Sequence, residues 1–327
     1  MTLAGSRERE VALDAVRSAA RLTRSVRASF TPDLATSKPD RSPVTVADLG
    51  AQVLVSLALS AAFPADPLVG EEDASQLASP PIRDALEERL AEVRPGLDGR
   101  TVAEALDRGG STGGPAGRWW TLDPVDGTLG FLRGGQYAIA LALVVDGVVQ
   151  LGALGCPALG RADGSVGGLF VAERGAGAWE LPLDGDGDPV RLRVASCATA
   201  SEARYAESLE ASHSAQDEAA RIGELLGISA PPLRLDSQAK YALVARGDAS
   251  IYLRIPRGGY VENIWDHAAG SIIVEEAGGI VSDIEGAPLD WGRGRRLEGN
   301  RGVIAAPASI HGEVAAAARE VMGARVA

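Results

Sequence analysis

TLDPVDGTLGF, residues 121–131, places two carboxylates, Asp123 and Asp126, three positions apart. The approach from Trp119 to Leu122 reads as a strand ending at Asp123, and Pro124, with its fixed φ, predicts a turn that returns Asp126 to the same side. Two carboxylates held that close repel unless a cation lies between them. Hard divalent ions such as Mg²⁺ prefer oxygen ligands of this kind. The carbonyl of Val125, between the two acids, is a further candidate ligand. Gly127 and Thr128 follow at once, and N–H groups at a helix or turn starting there would face an anion held by the metal. The competing reading is an Asx-type turn with a helix cap, which D-x-x-D-G-T also fits.

Working outward, the residues after this segment are strand-like. YAIALALVV and VVQLGALG are separated by Asp146-Gly147, a hairpin signal, and GLFVAERGAGAWEL continues the sheet with Gly175 and Gly177 at a tight turn. Polarity and turn residues peak in LDGDGDPVRLRV, 183–194, which predicts a boundary between a first domain, 1–188, and a second, 189–327. Asp184, Asp186 and Asp188 imitate the start of a calcium loop. Pro189 at its sixth position and Ala195 at its twelfth exclude that, and a hairpin tip accounts for the run.

Before the segment, Val11, Ala15, Ala19, Leu22 and Val26 recur at helical spacing and predict an amphipathic helix over 8–28. A second helix is expected from about Asp48, which could serve as its N-cap. PLVGEED, 67–73, reads as a short buried strand ending in carboxylates. RDALEERLAEV reads as a helix, and the rest of 74–117 as a loop rich in Gly, Ser and Pro. In the second half a helix around DEAARIGELLG, a strand around PLRLDS, then AKYALVARG and ASIYLRIP follow. WDHAAGSIIVEEAGG reads as a helix closed by a glycine pair, then come strand GIVSDI and an Ala-rich helix. Such alternation argues α/β organisation.

Composition narrows the class. The chain has 327 residues, 46% hydrophobic and 23% charged, the balance of a globular enzyme; with only 4% aromatic, its core must be mostly Ala, Val, Leu and Ile. A formal charge of −12 argues against a nucleic-acid backbone or an anionic membrane as partner. It suits a site that gathers metal ions, although acidity also aids solubility. Cys156 and Cys197 lie far apart without C-x-x-C spacing and read as buried apolar residues in a reducing compartment. No apolar run is long enough for a membrane span, and the charged N-terminus has no secretory h-region, so a cytoplasmic protein is expected.

Further carboxylates join the first pair. GEED offers Glu71, Glu72 and Asp73 at a strand end, where a solvated loop is the competing reading; WDHAAG offers Asp266 at a helix start, where a cap would explain it. Together they are the parts of a two-metal phosphoryl-transfer site. In their order and spacing GEED, DPVDGT and WDHAAG resemble the lithium-sensitive inositol monophosphatase superfamily. SPVTVADLGAQ, DPVDGTLGFLRGGQYAIALAL, LDSQAKYALVARGDASIYLR and IWDHAAGSIIVEEAGG are similar to its 3'(2'),5'-bisphosphate nucleotidase branch, with matches from about residue 38 to 305.

The resemblance implies a layered αβαβα architecture of mixed α/β class with the site in a cleft between domains. It implies Mg²⁺, two or three ions, bound by Glu71, Asp123, the Val125 carbonyl, Asp126 and Asp266. Asp48 would pair with Thr128 to position and deprotonate the attacking water, with Glu72 in a water-mediated role, and the Gly127 and Thr128 amides would hold phosphate. His213 of an H-S pair, Ser237, Lys240 and Arg254 match positions that hold the base or the second phosphate, and Asp266 also faces substrate. A His in a loop is as often plain surface, and basic residues usually do nothing specific. Two cations flanking apolar strands in an acidic chain nevertheless fit a second phosphate. The expected reaction is loss of the 3'-phosphate of adenosine 3',5'-bisphosphate, or of its 5'-phosphosulfate, to metal-activated water without a phosphoenzyme. The alternatives are an inositol phosphate substrate and a non-catalytic nucleotide sensor. A monomer acting on a small nucleotide is expected.

Overall fold

The fold comes from a computed structural model of the chain, which describes residues 6–29, 35–37, 43–209, 216–256 and 259–323. In chain order these hold α1 (Arg7–Ala28), β1 (Ala35–Ser37), β2 (Pro43–Thr45), α2 (Val46–Ala62), β3 (Leu68–Gly70), α3 (Pro80–Val93), α4 (Gly99–Asp107) and β4 (Arg118–Asp126). A short α5 (Thr128–Leu132) leads into β5 (Ala138–Val145), β6 (Val148–Gly160), β7 (Val166–Glu173), β8 (Gly177–Pro182) and β9 (Val190–Arg191). Then come β10 (Tyr205–Glu207), α6 (Gln216–Leu225), β11 (Leu233–Arg234), α7 (Ala239–Arg246), β12 (Ile251–Arg254), α8 (Ala268–Glu276), β13 (Gly279–Ser282), β14 (Val303–Pro307) and α9 (His311–Gly323).

Among the described residues one sheet has the order β3-β4-β5-β6-β7-β8-β9 and a second the order β11-β10-β12-β14-β13. The first is antiparallel except for the parallel pair β3–β4. It ends at Arg191, and the second begins at Tyr205. The expected hairpin at Asp146-Gly147 is present, with both residues at positive φ, 49° and 73°, as a two-residue turn between twisted strands requires.

The period-two alternation of the strands divides the core into three slabs. On β5, Ile139, Leu141 and Leu143 face a slab shared with α1 and α2, while Ala138, Ala140, Ala142 and Val144 face one shared with α7 and α8. On β14 the same division sends Val303 and Ala305 to α8, and Ile304 and Ala306 to a third slab filled from α9. Helices, sheet, helices, sheet, helices: the layered αβαβα expectation is met. Small residues on the inner face allow α8 to approach closely; a Cβ on Gly152 would come within 2.6 Å of the Ala269 carbonyl.

Several local expectations need correction. β4 does not stop at Asp123 but runs on to Asp126. α2 begins at Val46 with Thr45 as its N-cap, so Asp48 is three positions inside the helix instead of at its cap. α4 lies in a stretch expected to be loop, and its amphipathic GRTVAEALD is capped by Asp98. Lys240 sits in a helix, α7, rather than beside a strand. No helix among the described residues is long and apolar enough to cross a membrane.

Candidate active site

The two aspartates of β4 meet because the strand carries a bulge. Asp123 pairs with Ala140 and Asp126 with Ala138, so three steps on β4 oppose two on β5. In an unbroken strand, residues three apart point to opposite faces; the extra residue at Pro124-Val125 puts both carboxylates on one face. Carboxylate oxygens of Asp123, Asp126 and Asp266 all lie within 4.8 Å of one another. Asp266 arrives from the 3-10 turn Ile264–Asp266, one residue before the α8 N-cap, His267, so it is not the cap itself. The parallel pairing of β3 with β4 brings Glu71 in beside Asp123, its N–H bonding the Leu122 carbonyl at 3.2 Å.

α2 delivers the next pair. The Thr45 N–H and hydroxyl both donate to Asp48 Oδ2, at 2.7 and 2.6 Å, and Ala47 N–H donates to Thr45 Oγ1 at 3.1 Å: a capping box fixes the carboxylate. Its Oδ1 then receives the Thr128 hydroxyl at 3.4 Å, which also lies 3.1 Å from the Val125 carbonyl. Asp48 is buried. One turn further along α2, Gln52 clasps Glu72, accepting from its N–H at 3.0 Å and donating to its carbonyl at 2.5 Å.

The acid cluster has the electrostatics of a cation site. Burial, then the charges of Glu71, Asp126, Asp266 and Asp48, hold the Asp123 carboxyl well above its usual range. Burial first, then Asp126, does the same to Asp266; burial also raises Asp126, against the opposing pull of Lys240. Asp123 Oδ1 is buried without a hydrogen-bond partner among the described residues. Converging carboxylate oxygens, among them Asp123 Oδ1 with no donor, are what a hard divalent ion satisfies, and the all-oxygen set excludes a soft metal. The residues fit such an ion.

Directly after Asp126, Gly127 adopts a left-handed conformation, φ 83°, and meets Ser237, itself at φ 71°; a Cβ on Gly127 would come within 3.0 Å of Ser237 Cβ. The next residue, Gln238, donates its N–H to Asp126 Oδ2 and its side-chain amide to the Trp265 carbonyl at 2.9 Å. Lys240 is buried, its Nζ donating to the Ser237 carbonyl at 2.7 Å and lying 5.4 Å over the Tyr252 ring. Burial pulls its pKa down to about 8, with Asp126 working in the opposite direction. Arg254 ends β12, with Nε 3.1 and 3.3 Å from the two carboxylate oxygens of Glu262. His267 Nε2 lies 3.3 Å from the same carboxylate, and its Nδ1 2.8 Å from the Tyr241 hydroxyl.

The structure thus brings Asp48, Glu71, Glu72, Asp123, Val125, Asp126, Gly127, Thr128, Ser237, Lys240, Arg254 and Asp266 into one region. His213 lies outside the described residues. Gln52, Gln238 and Glu262 were missed. A signal for Gln52 exists: Asp48, Gln52 and Ser56 form an i, i+4, i+8 polar row on a largely apolar helix, and all three are buried. For Glu262 the only hint is an acid four residues before Asp266.

A layered αβαβα fold with an acid cluster between its sheets defines a metal-dependent phosphatase class. The inositol monophosphatase family model matches residues 6–323, and the chain belongs to this family. A rice protein named 3'(2'),5'-bisphosphate nucleotidase is 46% identical over 321 residues, covering 91% of this chain and 89% of its own. Proteins of the same name from Emericella nidulans, 43% identical (97% of this chain, 98% of the relative), and Schizosaccharomyces pombe, 41% identical (94% and 93%), are also similar. Among solved structures, an IMPase from Thermotoga maritima superposes with a TM-score of 0.68 at 23% identity, covering 98% of this chain and 99% of that one, a likeness of fold alone.

Proposed function

We propose that the chain is a 3'(2'),5'-bisphosphate nucleotidase, a phosphomonoesterase that hydrolyses the 3'-phosphate of adenosine 3',5'-bisphosphate to AMP and phosphate. The observation that carries this reading is the pair of cations, buried Lys240 and half-buried Arg254, whose charges reach Asp126 of the acid triad. A monophosphate substrate has no use for them, whereas a second phosphate needs compensation in so acidic a cleft. The names of the relatives support the same substrate.

Glu71, Asp123, the Val125 carbonyl, Asp126 and Asp266 would hold two or three Mg²⁺ ions, which when bound neutralise the phosphoryl oxygens and the leaving 3'-oxygen. In this reading the Thr128 hydroxyl orients the attacking water, and Asp48 takes up the proton through it. The amides of Gly127 and Thr128 face the scissile phosphate. Ser237 and His213 contact the nucleoside, Lys240 and Arg254 the 5'-phosphate, and Glu72 acts through water. Asp266 also faces the substrate. We place the enzyme in the cytoplasm as a monomer. The test is phosphate release from adenosine 3',5'-bisphosphate, inositol 1-phosphate and inositol 1,4-bisphosphate under one set of conditions. Preference of at least tenfold in kcat/KM for the nucleotide is expected; preference for either inositol phosphate would reassign the substrate, and tight binding without release would make the protein a sensor.

A further inference from the structure

Arg295 is used by none of the steps above, yet its contacts are unusually spread along the chain. Its Nη1 donates to the carbonyls of Gly109 and Ser111 at 3.1 and 2.9 Å, and its Nη2 to the carbonyl of Gly70 at 2.5 Å. The guanidinium carbon lies 4.8 Å over the Trp265 ring. Gly70 immediately precedes Glu71, and Trp265 immediately precedes Asp266. The main chain around Arg295 is fixed to the same side as Asp266: Ile264 N–H bonds the Arg295 carbonyl at 3.1 Å, and Leu297 N–H the Glu262 carbonyl at 2.9 Å.

Glu71 follows an edge strand of the first sheet, whereas Asp266 belongs to the layer that carries α8. Both side chains are carboxylates, and like charges in one site repel. Two such groups drift apart unless something rigid spans the gap. A planar fork donating to several carbonyls while stacked on an indole is such a span, and a lysine, with one point charge and no plane, is not.

We infer that Arg295 is a positioning residue that sets the separation of Glu71 and Asp266, and with it the affinity of the cleft for divalent cations. The inference rests on the reading of these acids as metal ligands. Arg295 acts through the backbone of Gly70 and the ring of Trp265.

The experiment is calorimetric titration of the full chain with MgCl₂, without substrate, for wild type, Arg295→Lys and Asp123→Asn, with circular dichroism to check folding. Arg295→Lys keeps the charge but loses the fork, so the Mg²⁺ Kd is expected to rise roughly tenfold, the loss of one or two charge-assisted hydrogen bonds. Raised Mg²⁺ is then expected to return kcat toward the wild-type value, which a brace for the fold alone would not allow. If Arg295→Lys does not fold, Trp265→Leu, which removes only the platform, is to show the same rise in Kd. Unchanged Mg²⁺ affinity in the folded variant, alongside a lost affinity in Asp123→Asn, overturns the inference and leaves the metal reading standing. Unchanged affinity in Asp123→Asn overturns both.

Discussion

Replacing Asp48 by Asn separates two tasks that the carboxylate performs with different oxygens. Oδ2 receives both donors of Thr45 and fixes the start of α2, while Oδ1 receives the Thr128 hydroxyl. An asparagine can turn its oxygen to Thr45 and keep the capping box in neutral form, at a cost of about 1 kcal/mol. For a chain of this length that is a fall in Tm of about 1–2 °C. The amide then facing Thr128 cannot take up a proton. Loss of a general base lowers kcat by about 10²–10⁴, roughly 2.7–5.4 kcal/mol in the barrier. Thr45→Ala is the matched control: it removes the hydroxyl from the cap but leaves the Thr45 N–H to hold Asp48. It should cost about the same stability and lower kcat by less than about tenfold. Phosphate release from adenosine 3',5'-bisphosphate and thermal unfolding of both variants are the measurements. The reasoning fails if Asp48→Asn keeps kcat within about threefold of wild type, or if Thr45→Ala loses as much activity as Asp48→Asn.

Asp126→Asn should abolish turnover while the far-ultraviolet spectrum stays unchanged, because the amide oxygen can still accept the Gln238 N–H; retained activity would remove Asp126 from the metal set. Burial raises the pKa values of Asp123, Asp126 and Asp266, and neighbouring acids add to it, so binding of a divalent cation, which needs the carboxylates ionised, is expected to release protons. Titrations with Mg²⁺ in buffers of different ionisation enthalpy should therefore give different apparent heats, and equal heats would argue against it. Lys240, with its pKa pulled down to about 8, is charged below that pH and neutral above it. KM for adenosine 3',5'-bisphosphate should rise above about pH 8 in wild type and be flat there in Lys240→Met; adenosine 3'-monophosphate should show no such rise with either protein. Gly127→Ala combines a left-handed backbone with a 3.0 Å approach to Ser237, and a loss of about 1–2 kcal/mol of stability is expected on chemical denaturation.

The sequence was most legible where chemistry and local geometry coincide. Asp146-Gly147 announced a hairpin because only residues tolerant of positive φ close so short a turn, and α1 announced itself by its apolar row. Asp123 and Asp126 were legible as a pair because like charges at short spacing call for a cation, whereas Glu71 and Asp266 join them as ligands only through the resemblance. What stayed hidden depends on partners distant in the chain. Arg295 meets Gly70 across 225 positions, and nothing near either residue records the encounter. Glu262 reads as an ordinary surface acid until β12 places Arg254 against it. Asp48 reads equally as a cap or as a functional acid, since caps and their third-position partners share residue types. Lys240 looked like a strand neighbour because YALVA is as apolar on all sides as a buried strand.

The bulge in β4 makes the cleft a matter of parity. Which face a strand residue shows depends only on whether the count from a reference point is odd or even, and the extra residue between Asp123 and Asp126 corrects that count by one. A substitution at Asp126 removes a single ligand and leaves its neighbours in place. Pairing the same residues in an unbroken ladder would alter no acid at all, yet it would send Asp126 toward the Ile139 side of the sheet, into hydrocarbon. For this segment, then, the irregular pairing matters as much as the acids it presents.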